Sequence, residues 1–398
     1  MQVSLASFKK NLYLTLEGTT QVPCFYIIQS GTVFCSVRVG SYELTASYGP
    51  GDCVGVISCI SQQSQVESIV ATSDVTAVAV SIGQYPMIIA QNNKIAFKII
   101  QSFSAKVRAL NDLFSKFSLH SASTGESAKK LFDIAAYYDK ARQFDIAVYA
   151  YFHYLFGFPE GEFVATAKQR YAALKDKSRA VYLNPTTEVD RTYPADTLIF
   201  AEGESGSDMF ILQKGTVKIT RVIDGHEVVL AILQKKGDFF GEMALLENKP
   251  RSANAIAAAD SRIMALNQAN FNKIVESNVQ MAVQLTTTLA GRIWTMYRNL
   301  GNTFIHDPFL QLLDMLVIQL EKAGAPIGKH NEPYYFDISL QDVANMCGMS
   351  AENQKIAFDK FKAHPYVKFN SPQEAITVLS CSEIFTTAVH IRKKATNE

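Results

Sequence analysis

The sequence predicts an α+β chain: two β-jelly-roll barrels with flanking helices, a helical insert between them, and a C-terminal helix-turn-helix region. Three observations carry this reading. First, Phe25-Tyr-Ile-Ile-Gln-Ser-Gly-Thr-Val33 recurs as Met209-Phe-Ile-Leu-Gln-Lys-Gly-Thr-Val217. Each copy runs on to a Gly-Asp pair, Gly51-Asp52 or Gly237-Asp238, and then to a further glycine, Gly55 or Gly241. Self-similarity at a nearly fixed offset marks two copies of one domain. Second, short runs of Val, Ile, Thr and Phe in each copy are punctuated by glycine turns, as at Ile223-Asp-Gly-His226, which suits a small antiparallel barrel. Third, a helical stretch trails each barrel, over residues 96–117 and 267–302.

In chain order, the reading divides the protein at residues 1–118, 119–180, 181–304 and 305–398. With 398 residues, the chain has room for two to four domains at about 100–200 residues each. The insert, centred on residues 127–175, places Leu131, Ile134, Ala135, Tyr138, Ala147, Tyr151, Tyr154 and Pro159 at the offsets of a tetratricopeptide repeat. A single repeat cannot bury its own face, so this TPR-like insert is open between a rigid spacer and a docking surface for a protein partner. In the stretch 267–302, Val275, Val279, Ala282, Val283, Leu289, Ile293 and Leu300 form an apolar stripe. Such a stripe, with little to bury it within one chain, predicts a homodimer seam; the competing expectation is packing on its own barrel. In the C-terminal segment, Ala344, Gly348 and Ile356 sit where a helix-turn-helix needs a small residue, a turn glycine and an apolar residue packed beneath. Ser350 is placed to cap the second helix.

Composition narrows the function. The 38 Lys and Arg balance 37 Asp and Glu, which gives no support for non-specific nucleic-acid binding. Six cysteines without CxxC spacing read as buried thiols of a reducing compartment rather than a disulfide framework. No leader and no run of about 18 apolar residues is present, so the expectation is a soluble, cytoplasmic protein with no membrane partner. Phosphate-loop, nucleophile-elbow and zinc-protease motifs are missing, and the seven histidines are scattered, so neither an enzyme nor a metal site is expected.

The strongest motif is Gly237-Asp-Phe-Phe-Gly-Glu-Met-Ala-Leu-Leu-Glu-Asn-Lys-Pro-Arg-Ser-Ala253. It resembles the phosphate-binding cassette of cyclic-nucleotide-binding domains: Phe-Gly-Glu, an apolar residue, Ala-Leu, then Pro-Arg-Ser-Ala. Residues 193–204 and Gly215-Thr-Val217 also resemble that family's opening strands, so the resemblance covers about residues 182–302. The physics agrees with it. A cyclic phosphodiester is a compact anion beside a ribose hydroxyl. Gly241 admits the backbone close to it, and Arg251 offers a planar pair of donors. Ser252 adds a hydroxyl, while Glu242 suits the ribose 2′-OH. Met243 and Ala244 complete the cassette. For the base, the resemblance implies a cap from the long helix, with Tyr297 and Met296 as candidates and Leu230 lining the pocket. The expected effector is cyclic AMP, with cyclic GMP also compatible and no metal required. In the first copy Val56, Gln65 and Val66 stand where Glu242, Arg251 and Ser252 stand in the second. That barrel is accordingly expected not to bind cyclic nucleotide by this route.

Barrel, long helix and winged-helix-like tail together resemble the cyclic-AMP receptor protein family of bacterial transcription regulators. The resemblance implies a homodimer whose nucleotide controls a helix-turn-helix on double-stranded DNA. The candidate reading residues are Ser350, Glu352, Asn353, Gln354 and Lys355, but Ala351 and Ile356 stand where that family commonly has arginine. Two functions therefore stay open: a cyclic-nucleotide-responsive transcription regulator, or a nucleotide-sensing adaptor whose winged helix no longer binds DNA.

Overall fold

The computed structural model describes residues 4–20, 22–40, 42–91, 93–119, 127–223, 225–325, 333–370 and 375–395. Two compact units result, one of residues 1–114, 274–343 and 351–398, the other of 115–273 and 344–350.

The first unit opens with eight strands: β1 (Ser4–Phe8), β2 (Tyr13–Thr15), β3 (Cys24–Ser30), β4 (Val33–Val39), β5 (Tyr42–Tyr48), β6 (Cys53–Val54), β7 (Ser68–Ala71) and β8 (Val75–Ser81). They form two four-stranded sheets, ordered β1-β8-β3-β6 and β2-β7-β4-β5, the interleaved order of a jelly roll. Along β4 the inward positions Val33, Cys35, Val37 and Val39 are buried and the alternate positions are not, the two-residue period of a half-buried strand. Between β6 and β7 lies a short helix α1 (Val56–Ser61), and after β8 come α2 (Tyr85–Gln91) and α3 (Asn93–Leu119).

The second unit repeats this plan. Its strands are β9 (Asp190–Tyr193), β10 (Thr197–Phe200), β11 (Asp208–Lys214), β12 (Val217–Ile223), β13 (His226–Leu233), β14 (Phe239–Phe240), β15 (Asn254–Ala257) and β16 (Ser261–Asn267). The sheets run β14-β11-β16-β9 and β10-β15-β12-β13, the same order strand for strand. The repeated glycine has a steric cause. Gly215 holds φ +104°, and a Cβ there would lie 2.5 Å from the Asp260 carbonyl oxygen; Gly31, at φ +84°, meets Asp74 in the same way. Both copies therefore close the β3–β4 and β11–β12 turns against the start of the barrel's last strand. The expected turn at 223–226 joins β12 to β13, with Asp224 outside the described residues.

Ahead of this barrel stand α4 (Ser127–Lys140), α5 (Phe144–Gly157) and α6 (Val164–Leu174). Leu131, Ile134, Ala135, Tyr138, Ala147, Tyr151 and Tyr154 are buried, and their cluster includes Leu198, Ala201 and Ile256 of the barrel. The face that one helical repeat cannot cover is thus covered by the barrel itself. Its tyrosines also bond to it: Tyr138 donates to Glu227 at 2.6 Å and Tyr149 to the Ile199 carbonyl at 3.0 Å.

The long helical stretch after the second barrel is two helices, α8 (Gln268–Ser277) and α9 (Val279–Asn302), broken at Asn278, whose side chain caps α9 by accepting from Met281 N–H. The expected seam along it has a different outcome. Ala282, Leu289, Ile293 and Leu300 are buried within the single chain, where α9 packs on α1 and α2 of the first barrel. The indole of Trp294 is 1% exposed and donates to the Ser64 carbonyl at 3.0 Å. The buried residues of the stripe on α9 are therefore covered by the first barrel, while Val279 and Val283 are half-buried.

The C-terminal segment contains α10 (Pro308–Ala323), β17 (Tyr334–Ser339), α11 (Leu340–Met346), α12 (Ala351–Lys362), β18 (Val367–Asn370), β19 (Ala375–Val378) and α13 (Cys381–Ala395). Its three strands form one antiparallel sheet, β17-β19-β18. Ala344 is fully buried and Gly348 has φ +65°, as the helix-turn-helix spacing predicts. Ile356 corrects that expectation, because it is 44% exposed. The residues α12 buries are Ala357 and Phe361, four apart, and Phe361 meets Phe309 of α10 edge-on. That face lies one position round the helix from Ile356.

Candidate ligand-binding site

The cassette of the second barrel begins where β14 ends. Gly241 takes φ +76° and starts α7 (Glu242–Glu247), of which Glu242, Met243, Ala244 and Leu245 are buried. Arg251, 5% exposed, returns alongside. Its Nη1 donates to the carbonyls of Gly241 and Asp208, both at 2.7 Å, and its guanidinium lies over the Phe200 ring at 4.3 Å. Two glycines make room for it. A Cβ on Gly241 would stand 2.8 Å from Nη1, and one on Gly206 would stand 2.3 Å from Nε. The loop carrying Gly206 is stitched to Arg251 by two backbone bonds, Gly203 N–H to the Arg251 carbonyl and Arg251 N–H to the Glu204 carbonyl.

Arg251 Nε is buried and has no hydrogen-bond partner among the described residues. Leaving a buried donor unmade costs about 1–3 kcal/mol, and burial holds the Arg251 pKa below its ordinary value despite Glu204, Tyr149, Asp208 and Glu242 around it. A compact anion would answer both defects at once. Ser252, half-buried, points its hydroxyl toward Met243 Sδ at 3.6 Å.

The structure thus brings Gly241 to Arg251 and Met243 to Ser252, with Glu242 and Ala244 buried on the helix between. Leu230 is buried on β13. Tyr297 and Met296 belong to the other unit, where the Tyr297 ring lies 5.6 Å from Lys106. Several residues that the sequence reading did not single out also serve the site. Arg221, 6% exposed, donates to the Ser252 carbonyl at 2.7 Å and to Ser115 Oγ at 2.9 Å. An arginine inside the apolar strand Val217–Ile223 was the available signal. Glu204 is the last residue of the quoted strand motif, but its partner Tyr149 is 55 residues away, a separation that no periodicity reports.

In the first barrel, Gly55 at φ +72° starts α1 just as Gly241 starts α7. Gln65 occupies the place of Arg251: it is 2% exposed, and its Nε2 lies 3.9 Å from where a Gly55 Cβ would be. Both of its side-chain polar atoms are without partners among the described residues. The carboxylate of Glu67 is paired with Lys106 at 2.8 Å.

Residues 5–92 and 190–278 match the cyclic nucleotide-binding domain family. Both barrels are cyclic nucleotide-binding domains. The chain is a tandem cyclic-nucleotide-binding-domain protein that resembles the cyclic-AMP receptor protein family. The CRP-like cAMP-activated global transcriptional regulator of Mycobacterium tuberculosis is 24% identical over 186 residues, 46% of this chain and 82% of the relative. The cyclic AMP receptor protein of Thermus thermophilus is 34% identical over 104 residues, 26% of this chain and 48% of the relative. Human cGMP-dependent protein kinase 2 is 42% identical over 86 residues, 21% of this chain and 11% of the kinase. In the second cyclic nucleotide-binding domain, the orphaned Arg251 Nε and the two glycines around the guanidinium fit a cyclic phosphate. In the first, the neutral amide of Gln65 offers no charge to one. No helix among the described residues is long and apolar enough to cross a membrane.

Proposed function

We propose that this chain is a regulatory protein that senses a cyclic nucleotide, cyclic AMP in the first instance, at the second barrel. The observation that carries the reading is the buried, unpartnered Nε of Arg251 inside a two-glycine cradle. Arg251 holds the phosphate and Glu242 takes the ribose hydroxyl. Gly241, Met243, Ala244 and Ser252 form the wall, with Leu230 lining the base. The homologous transcription regulators support a role in gene control, and the segment 305–398 is then a winged-helix-like effector following the sensor at 181–304. A homodimer along the long helix would draw on the half-buried Val279 and Val283, since the other residues of the stripe are buried within the chain. Titration calorimetry with cyclic AMP and cyclic GMP tests the proposal. The expected result is saturable binding of one nucleotide per chain, with the first barrel silent because Gln65 replaces the arginine. A folded protein that binds neither nucleotide ends the reading.

A second reading, a nucleotide-sensing adaptor, would use the exposed face of α12. Ile356 is presented there, and Gln354, one of the candidate base readers, receives a hydrogen bond from Gln341 at 2.8 Å. Glu352, Asn353 and Lys355 are exposed, and Ser350 is half-buried. Salt separates the two. DNA binding through Lys355 and its neighbours loses affinity steeply between about 50 and 200 mM salt, since each phosphate contact releases counterions. An adaptor shows no DNA binding to be screened.

A further inference from the structure

The cassette is built against the helical insert, and the junction is a buried acid. Glu204 sits in the loop whose backbone is paired with Arg251. Its carboxyl accepts from Ala201 N–H at 2.9 Å. From α5, Tyr149 places its hydroxyl 3.4 and 3.5 Å from the two carboxyl oxygens, and His153 places Nδ1 3.5 Å from one of them. The two rings stack at 4.2 Å. Tyr149 has one proton to give, and it is shared between the Ile199 carbonyl at 3.0 Å and the more distant Glu204 carboxyl. At 3.4 and 3.5 Å the same hydroxyl gives the Glu204 carboxyl only a long, shared hydrogen bond, so the acid is weakly stabilised as an anion. His153 cannot supply a compensating charge, because burial pushes its pKa down to about 4.

We propose that Glu204 and Tyr149 are positioning residues of the nucleotide site: they fix the loop that wraps Arg251, and Glu204 takes up a proton as the anionic ligand arrives. The inference rests on nucleotide binding at Arg251 as proposed above. The groups around the acid are Tyr149 and His153 from α5, Tyr193 from β9, and Arg251. Asp208 and Glu242 face Arg251 in turn, while nearby Glu202 lies 3.5 Å from Lys130 and 3.6 Å from Arg221. Of these, Arg251 is the cation that favours the ionised acid. A phosphate on Arg251 cancels that field, so the acid is more strongly protonated in the bound state than in the free one. In the free protein, burial has already pushed Glu204 up to about 7, against the pull of Ala201 N–H, Arg251 and Tyr149. The sign follows. A group whose pKa rises on binding draws in a proton, so affinity grows as pH falls through the neutral range.

The test is calorimetry of the full chain with cyclic AMP and cyclic GMP, from pH 6 to 8, in buffers of different ionisation enthalpy. Wild type is expected to lose about ten-fold in affinity across that range and to take up a fraction of a proton near pH 7. Glu204→Gln keeps the acceptor for Ala201 N–H but cannot titrate, so it should bind with a flat profile and no proton uptake. Tyr149→Phe removes a hydroxyl that donates to the ionised acid, so its profile should move to higher pH. A purely structural pair would change stability and leave the profile alone. Wild type that binds with no proton uptake overturns the inference and leaves the nucleotide site standing. Wild type that binds no nucleotide overturns the site itself, and the inference with it.

Discussion

Replacing Arg251 with alanine should weaken cyclic-nucleotide binding by about ten- to a hundred-fold, since a charge-assisted hydrogen bond contributes about 1.5–3 kcal/mol. The fold should persist. The guanidinium is a buried charge, so its removal relieves a desolvation cost even as two carbonyls, of Asp208 and Gly241, lose their donor. Arg251→Lys is the sharper variant. An ammonium restores the charge but has no Nε and no planar fork, so affinity should stay close to that of the alanine variant. Calorimetric titration of both, with circular dichroism to verify the fold, gives the answer. Unaltered affinity in Arg251→Ala would mean that the orphaned donor has another purpose.

The largest effect on stability is expected at Trp294. It is the single tryptophan of the chain, 1% exposed, bonded to Ser64 and lying under Arg298 at 5.1 Å. Trp294→Ala leaves a large cavity at the junction of α9 with the first barrel and should cost about 3–5 kcal/mol. Two compact units make an all-or-none transition a poor assumption, so scanning calorimetry is the appropriate measurement. The endotherm of the first unit should move to lower temperature while a nucleotide-stabilised second unit does not. An unchanged thermogram would show that α9 contributes little to the first barrel.

Both barrels were legible because a strand pattern and a steric requirement were written twice. Gly31 and Gly215 are needed wherever that turn meets Asp74 or Asp260, so they recur in sequence. The stripe of α9 was legible as a buried face, but periodicity states that a face is covered and not by what. The covering surface, α1, is more than two hundred residues upstream. At Ile356 the error was one of phase: Ala357 lies one residue further on, and it is this residue that faces the core. The cassette itself was readable because its groups are local in sequence. Glu204 with Tyr149 was not, because that pair exists only once the insert has folded onto the barrel.

The path of α9 back to the first barrel also constrains how the protein is made. A ribosome releases the first barrel early, with Val56, Ile57, Cys59 and Ile60 of α1 still lacking the helix that will cover them. At about 5–20 residues per second, that surface waits tens of seconds for residues 279–302. During this interval the nascent chain carries an apolar patch of its own, open to chaperones and to neighbouring chains on the same message. Slow synthesis or truncation before residue 302 would therefore show first as aggregation of the N-terminal barrel, the half without the arginine.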